Sequence, residues 1–325
     1  MSIQIKQKSF NKELFNSRLE FEISGNDIDF VVVNTLRRFI FSEIPTFIFN
    51  DFEIITNTSV FNNNQLKLYL QNIPVIGIKN VPMQYKKKVE KEEDVEEDED
   101  FQQLVGSNEA EIETEEEPIE DSSLQSLTMY IDYTNKTEEI ISVTTNDAQF
   151  YYLGSEIKSP YPNPVIIIKL QPGQKIKLTA KSVLGIEKED GKYSPVSVCA
   201  YNEINDNKFN FFLESRGQFT EQEIIKRACY QINRKLNKLK KIFPKINLKN
   251  GEIKIPKEKH TMGNLISHGL GLLPETLYAT YYQKHSLDNE IFIKFGFNKE
   301  YNVKELVEKV CNNYSKIYKE IESKF

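Results

Sequence analysis

The chain has 325 residues, 39% hydrophobic and 28% charged, with a formal net charge of −6. That length suits two or three compact units, each able to bury its own apolar core. No stretch approaches the roughly 18 apolar residues of a membrane span, the longest candidate being the interrupted run Val165 to Leu170, and the first ten residues hold no signal core, so a secreted or membrane-bound protein is not expected. Cys199, Cys229 and Cys311 are scattered without C-x-x-C spacing, which reads as reduced thiols in an intracellular fold rather than zinc or redox chemistry. Charge is uneven. Residues 89–121 hold 17 acidic side chains and one basic one, Lys91, a net of −16, so the remainder carries +10 against the total of −6. A basic body suits contact with nucleic acid or acidic partner surfaces, although a solvated lysine-rich face is the commoner explanation.

In chain order, the first ~85 residues read as ordered. Ser17 to Ser24 alternates around Leu19, Phe21 and Ile23 as a strand does, and Gly25-Asn26 breaks it. Asp27 is a plausible N-cap for a helix carrying Phe30, Val31, Val33, Leu36, Phe39 and Ile40. Val31-Val32-Val33 argues locally for strand, but the polar run Asn34 to Arg38 breaks strand alternation and favours helix. Pro45 ends that element, and Phe47 to Ile55 reads as a buried strand. From Lys86 to Ser123 the composition is too poor in apolar area to offset the entropy of ordering, so a disordered acidic insertion is expected. An acidic arm masking a basic surface is the functional alternative.

Residues 124–215 alternate apolar and polar in short runs, such as Leu127 to Ile131 and Val165 to Leu170, separated by turns like Gln171-Pro172-Gly173, and predict a mostly β unit. Thr220-Glu221-Gln222-Glu223 has capping-box form. Ile225, Ala228, Ile232, Leu236 and Leu239 then make one helical apolar stripe, ending in Lys240-Lys241 at the favourable C-terminus. Beyond Pro244 the pattern predicts a hairpin, Lys245 to Lys249 and Glu252 to Pro256, turned by Asn250-Gly251. There follow a helix His260 to Leu270, strands Leu277 to Tyr282 and Glu290 to Phe297, and a final helix. In that helix Val303, Val307, Val310, Tyr314, Ile317 and Ile321 recur at spacings of about 3.5, a seam that requires a partner helix.

The two ends share a pattern of strand, short helix bearing an Asn, Pro ten or eleven residues later, strand and long striped helix; Asn34 and Pro45 answer to Asn264 and Pro274. The repeat predicts two α/β units about a pseudo-twofold axis. At these residues the chain resembles a known family. Asn34-Thr35-Leu36-Arg37-Arg38 with Ser42-Glu43-Ile44-Pro45-Thr46 is similar to the signature of the alpha-like assembly subunit of RNA polymerases, which comprises bacterial alpha, its D-type archaeal counterpart and the third subunit of eukaryotic polymerase II. Thr58-Ser59, Leu70 to Val75, Pro172-Gly173-Gln174, Tyr193 to Val196, and Phe211 with Glu214-Ser215 and Gly217 follow in the family's order. Lys257 to Ile266, containing His260-Thr261-Met262-Gly263-Asn264, and Tyr278-Ala279 through His285-Ser286-Leu287 resemble a second member, the L-type archaeal or eleventh eukaryotic subunit. D-like and L-like halves in one chain are similar to the fused subunits of large cytoplasmic DNA virus polymerases. Ser286 stands where the family usually has Pro, leaving that turn without proline's rigidity. The metal-binding cysteines of some D-like inserted domains are missing.

The resemblance implies an α+β fold of two alpha-like dimerisation modules paired as an intrachain pseudo-dimer, with a mostly β inserted domain. The D-like module is expected at 1–50 plus 196–243, the insert at 51–195 including the loop 86–123, and the L-like module at 244–325. Ile225, Ile232, Leu236, Val303, Val307, Val310 and Ile317 are expected to form the core between halves. Arg37, Arg38, Asn34 and Glu43 are the expected subunit interface, the arginine pair facing the second-largest polymerase subunit, where a guanidinium fork suits carboxylates or carbonyls. His260, Thr261, Gly263 and Asn264 are the L-like motif; Asn34 and Asn264 are expected to hydrogen-bond local backbone, and Gly263 to allow close backbone approach.

No catalytic, cofactor or metal residue is expected. The three histidines have no zinc-helix spacing, Gly269-Leu270-Gly271 lacks the rest of a dinucleotide loop, and no Walker A sequence occurs. The expected function is a noncatalytic platform for the two largest polymerase subunits, with small polymerase subunits as further partners, nucleic acid only through the assembled complex, no membrane and no homo-oligomer. Its expected place is intracellular: host cytoplasm and virion if viral, nucleus if cellular. The alternative is a nucleic-acid-binding accessory protein using the basic body. If 86–123 is a disordered insertion, limited proteolysis of the free chain cuts there first and leaves two fragments that co-elute; protection of that segment counts against it.

Overall fold

The computed structural model describes residues 3–12, 17–78, 80–85 and 126–325; the segment 86–123, expected to be a disordered insertion, lies outside the described residues. From the amino end run β1 (Gln4–Lys12), β2 (Ser17–Ser24), α1 (Phe30–Ser42), β3 (Thr46–Asn57) and α2 (Asn63–Gln71). Then come β4 (Leu127–Thr134), β5 (Ile141–Thr144), β6 (Gln149–Tyr152), β7 (Ser155–Ile157), β8 (Ile166–Leu170) and β9 (Lys175–Gly185). A 3-10 turn, Gly191–Tyr193, leads into β10 (Val196–Asn205), β11 (Lys208–Ser215) and α3 (Glu221–Ile242). β12 (Asn247–Pro256), α4 (His260–Gly271), β13 (Thr276–Tyr282), β14 (Glu290–Asn302) and α5 (Val303–Ser323) complete a mixed α+β fold.

Two antiparallel sheets carry the shared core. In the first, ordered β1-β2-β11-β10, the alternation of β2 sets Leu19, Phe21 and Ile23 opposite Leu213, Phe211 and Phe209 of β11, all buried. The second is β12-β14-β13. Helices α1, α3, α4 and α5 fill the space between them, and one apolar cluster runs from Ile3 to Ile321. A separate cluster lies in the inserted unit, where β3-β9-β4-β6-β7 and the β5-β8 pair enclose Phe49, Met129, Phe150 and Leu178. α2, for which the sequence pattern gave no expectation, covers that cluster with Leu66 and Leu70; it starts at a full capping box between Asn62 and Gln65.

Several local expectations are corrected. α1 is capped by Asp29, not Asp27: Asp29 Oδ1 accepts from Val32 N at 2.8 Å. The Val31 to Val33 run is helical because all three side chains enter the shared core, and tertiary burial outweighs β propensity. β3 is buried on both faces only over Thr46 to Phe49; beyond that it alternates, and Ile55 is 56% exposed. Thr220 caps α3 by accepting from Glu223 N. The hairpin at Asn250-Gly251 does not form. Both flanks belong to one strand paired with β14, and Asn250 follows a bulge at Leu248, with the Phe295 ring lying over Gly251.

The long helices α3 and α5 pack together across the intervening residues 243–302. Ile225, Ile232, Leu236, Val303, Val307, Val310 and Ile317 all fall in the one buried cluster. Burying each such side chain contributes roughly 1.5–3 kcal/mol. Leu236→Ala is expected to cost about 2–5 kcal/mol. Because its cluster is contributed by both ends of the chain, a probe in β2 and one in β14 are expected to lose structure at the same lowered denaturant midpoint.

Candidate functional site

One face of α1 is apolar and enters the core, which leaves Asn34, Arg37, Arg38 and Ser42 on the outer side. The two arginines do different things. Arg37 folds back on its own helix, donating from Nε (3.1 Å) and Nη2 (2.8 Å) to Asn34 Oδ1 one turn earlier. Asn34 therefore accepts from a side chain rather than bonding local backbone as expected, and it fixes the direction of a guanidinium. Arg38 is exposed. Ser42 Oγ donates to the Arg38 carbonyl.

Glu43 is the C-cap of α1, its N–H donating to Phe39 O. Its carboxylate turns inward, accepting from Lys235 Nζ at 2.9 Å, with Lys188 Nζ at 3.6 Å. Lys235 also reaches Glu258 Oε2 at 3.1 Å and lies over the Phe39 ring. This ammonium from α3 thus ties the end of α1 to the loop before α4. Burial alone would depress the Lys235 pKa, but the two carboxylates outweigh it and hold the group above its ordinary value. Burial pushes the Glu258 carboxyl above its ordinary value, and Lys235 offsets only part of that. The triad floors a cleft of about 280 Å³ whose rim includes Arg38, Glu187, Lys188, Lys259 and Thr261. A charged rim over a satisfied ionic floor can receive a partner's carboxylates or carbonyls.

In the second half, His260 opens α4, is exposed, and meets the Tyr281 ring edge-on. Thr261 lies at the cleft. The Asn264 side chain makes no hydrogen bond among the described residues; its carbonyl accepts from Ser267 Oγ. Gly263 does permit close approach, but to side chains rather than backbone: an added Cβ would lie 2.7 Å from Tyr281 Cδ2 and 2.8 Å from Ile291 Cδ1. The Ser286 turn is closed by Asp288, whose Oδ2 accepts from His285 N at 3.0 Å.

Polar links across the seam have no counterpart among the sequence expectations. Ser315 Oγ donates to Asn233 Oδ1 at 2.7 Å between α5 and α3, and Tyr318 OH donates to Val32 O. His268 Nδ1 lies 3.1 Å from Tyr314 OH and 3.6 Å from Asp29 Oδ2. The signal is present as polar residues next to apolar stripes, but their partners lie up to 286 positions away. The three cysteines are buried, and burial pushes Cys199 and Cys311 up to about 12, far from a reactive thiolate. Among the described residues no group of three or more His, Cys, Asp or Glu could hold a metal ion.

Comparison with known proteins gives two matches to one domain, described as the RNA polymerase Rpb3/Rpb11 dimerisation domain, over residues 20–236 and 250–324. The chain is 22% identical over 300 residues to a DNA-directed RNA polymerase subunit of Acanthamoeba polyphaga mimivirus, covering 85% of this chain and 81% of that one. It is 25% identical over 228 residues to DNA-directed RNA polymerase subunit Rpo3 of Methanocaldococcus jannaschii, covering 70% and 89%. Against the polymerases I and III subunit rpac1 of Dictyostelium discoideum it is 30% identical over 57% of this chain, but spans only 49% of that relative.

Lys235→Met leaves Glu43 and Glu258 buried without their shared cation and is expected to cost about 3–5 kcal/mol at neutral pH. An acid whose folded pKa is raised above its unfolded value binds a proton more tightly when folded, so stability returns as pH falls through the raised value. The denaturant midpoint of Lys235→Met is therefore expected to approach the wild-type midpoint as pH is lowered from neutral; a constant gap would count against a buried unpaired Glu258.

Proposed function

Because this chain belongs to the RNA polymerase Rpb3/Rpb11 dimerisation domain family, we propose that it is the assembly platform of a DNA-directed RNA polymerase, with both members of a dimerising pair carried on one polypeptide. The observation that carries this reading is the double match to one dimerisation domain, combined with long helices from the two matched segments that share a single core. In this reading residues 1–50 with 196–243 form one module, 244–325 its partner, and 51–195 an insert. Covalent linkage gives the halves an effective concentration of order mM, so the pair holds on dilution.

The platform contributes contacts and no chemistry. Its partners are the largest and second-largest catalytic subunits together with small polymerase subunits, and nucleic acid is met through the assembled enzyme. The mimivirus relative supports an intracellular site in a viral factory and in the virion, with the nucleus as the place for a cellular source. Arg38, free at the cleft rim, is the leading contact to the second-largest subunit, and Arg37, held by Asn34, is the supporting one. Glu43 acts from beneath, by anchoring Lys235.

Co-expression with the two large subunits and recovery through a tag on this chain tests the interface. Arg38→Glu is expected to lower recovered complex about tenfold, equivalent to about 1.4 kcal/mol. Combining it with Arg37→Glu is expected to abolish recovery while the purified variant stays folded. Undiminished recovery with the folded double variant removes the arginine pair from the interface.

A further inference from the structure

Between Ile224 and Gly251 the chain carries nine cationic side chains and no carboxylate: Lys226, Arg227, Arg234, Lys235, Lys238, Lys240, Lys241, Lys245 and Lys249. Arg227 is neutralised by Glu223 at 2.8 Å and Lys235 by Glu43 and Glu258, Lys238 is engaged as well, and Lys240 Nζ donates to Asn237 Oδ1 at 3.0 Å. The periodicity of α3 sorts most of the others. At about 100° per residue, Lys226, Tyr230, Arg234, Asn237 and Lys241 fall within an arc of about 80°, turned away from the Ile225, Ile232 and Leu236 stripe that packs on α5. Lys226, Asn237 and Lys241 are exposed, and Tyr230 and Arg234 are half-buried. Along the axis the cations are separated by roughly 12 and 10 Å. Lys245 and Lys249, both exposed, continue the row past the helix end.

Among the described residues Lys226, Arg234, Lys241, Lys245 and Lys249 make no ion pair. Glu308 and Glu322 of α5 act on Cys311 and Cys229 on the packed side of the helix pair. The flank is fixed by backbone: Val81 to Met83 cross α3 beside the stripe, their carbonyls accepting from Arg227 and Gln231. Gln84 Nε2 donates to Tyr230 OH, so this segment touches the arc at Tyr230, between Lys226 and Arg234.

We propose that this face of α3 binds the phosphate backbone of duplex nucleic acid, an activity separate from the platform role. A straight row of unneutralised cations is matched by a regular polyanion, and each phosphate contact releases condensed counterions. The Tyr230 hydroxyl and the Asn237 amide sit between the cations as hydrogen-bond donors to phosphate oxygens, contacts that position a duplex without reading its sequence. An acidic protein surface is the weaker occupant: tight protein interfaces depend on central apolar anchors, and the arc on α3 presents no exposed aliphatic side chain, the exposed Ile246 lying beyond the helix end.

Fluorescence anisotropy of the full chain with labelled duplexes of about 30 base pairs, between about 50 and 200 mM salt, provides the test. Binding is expected to weaken linearly in log–log form with salt and to be alike for unrelated sequences. Lys226→Gln/Arg234→Gln/Lys241→Gln is expected to weaken binding at least about tenfold at the lower salt and to reduce the salt slope by about 2 to 3. Lys241→Gln/Lys245→Gln/Lys249→Gln, centred beyond the helix, serves as a second variant with a comparable loss should the first fold poorly. Lys136→Gln/Lys158→Gln/Lys169→Gln removes three exposed cations of the inserted unit and is expected to change affinity less than about twofold. The proposal is overturned by absence of duplex binding at low salt, by equal losses in the stripe and control variants, or by stripe variants that lose a Glu-rich peptide but keep the duplex.

Discussion

The burial of α3 against α5 is the constraint on which this fold depends. Each helix has an apolar stripe that cannot face water, and each covers the other although residues 243–302 lie between them in the sequence. Once the stripes meet, α1 and α4 have a floor to pack on and the two sheets have opposite sides of one core to cover. A domain boundary between the halves exists in the sequence, therefore, but not in the hydrophobic interior.

Apolar packing is tolerant of sliding, whereas hydrogen bonds and ion pairs in a dry seam are not. Asn233 with Ser315, Tyr318 with the Val32 carbonyl, and Lys235 between Glu43 and Glu258 each demand one placement of the halves. A buried ionic group is weak evidence for net stability, since desolvation offsets most of its Coulomb energy. Its effect here is positional: the Lys235 ammonium holds the C-terminal end of α1 and the residue before Lys259 on either side of a single cleft. The outward arginines stand on that fixed base.

The elements most legible in the sequence are those whose period matches their burial. β2 announces itself through Leu19, Phe21 and Ile23, and α5 through a 3-to-4 spacing that requires a partner. The misreadings occur where local chemistry has two structural uses. Asn250-Gly251 suits a tight hairpin but lies inside one strand, in register with Gly296 and Phe295, and only pairing with β14 decides between them. Asn34 reads as a backbone partner because short polar side chains near helix starts often are; the i,i+3 spacing to Arg37 is the local signal for the side-chain bond it makes instead. The motif residues of the candidate site are visible in the sequence, while Lys235 and Glu258 are not, because a lysine in a lysine-rich helix carries no mark of the two carboxylates that three-dimensional packing brings to it.

The inserted unit enters through β3 and leaves through β9, and these strands are antiparallel neighbours with Thr46 opposite Gly185. At that point the two crossings lie side by side, held by backbone hydrogen bonds, while the Thr46 hydroxyl donates to the Tyr193 carbonyl and the Tyr193 ring packs on Gly185. Lengthening what lies beyond the doorway costs the helix pair little, because the closure entropy of a loop grows only with the logarithm of its length, and the insert touches α3 again at Val81 to Gln84. The insert can therefore change in length at small cost to the scaffold that holds the doorway shut.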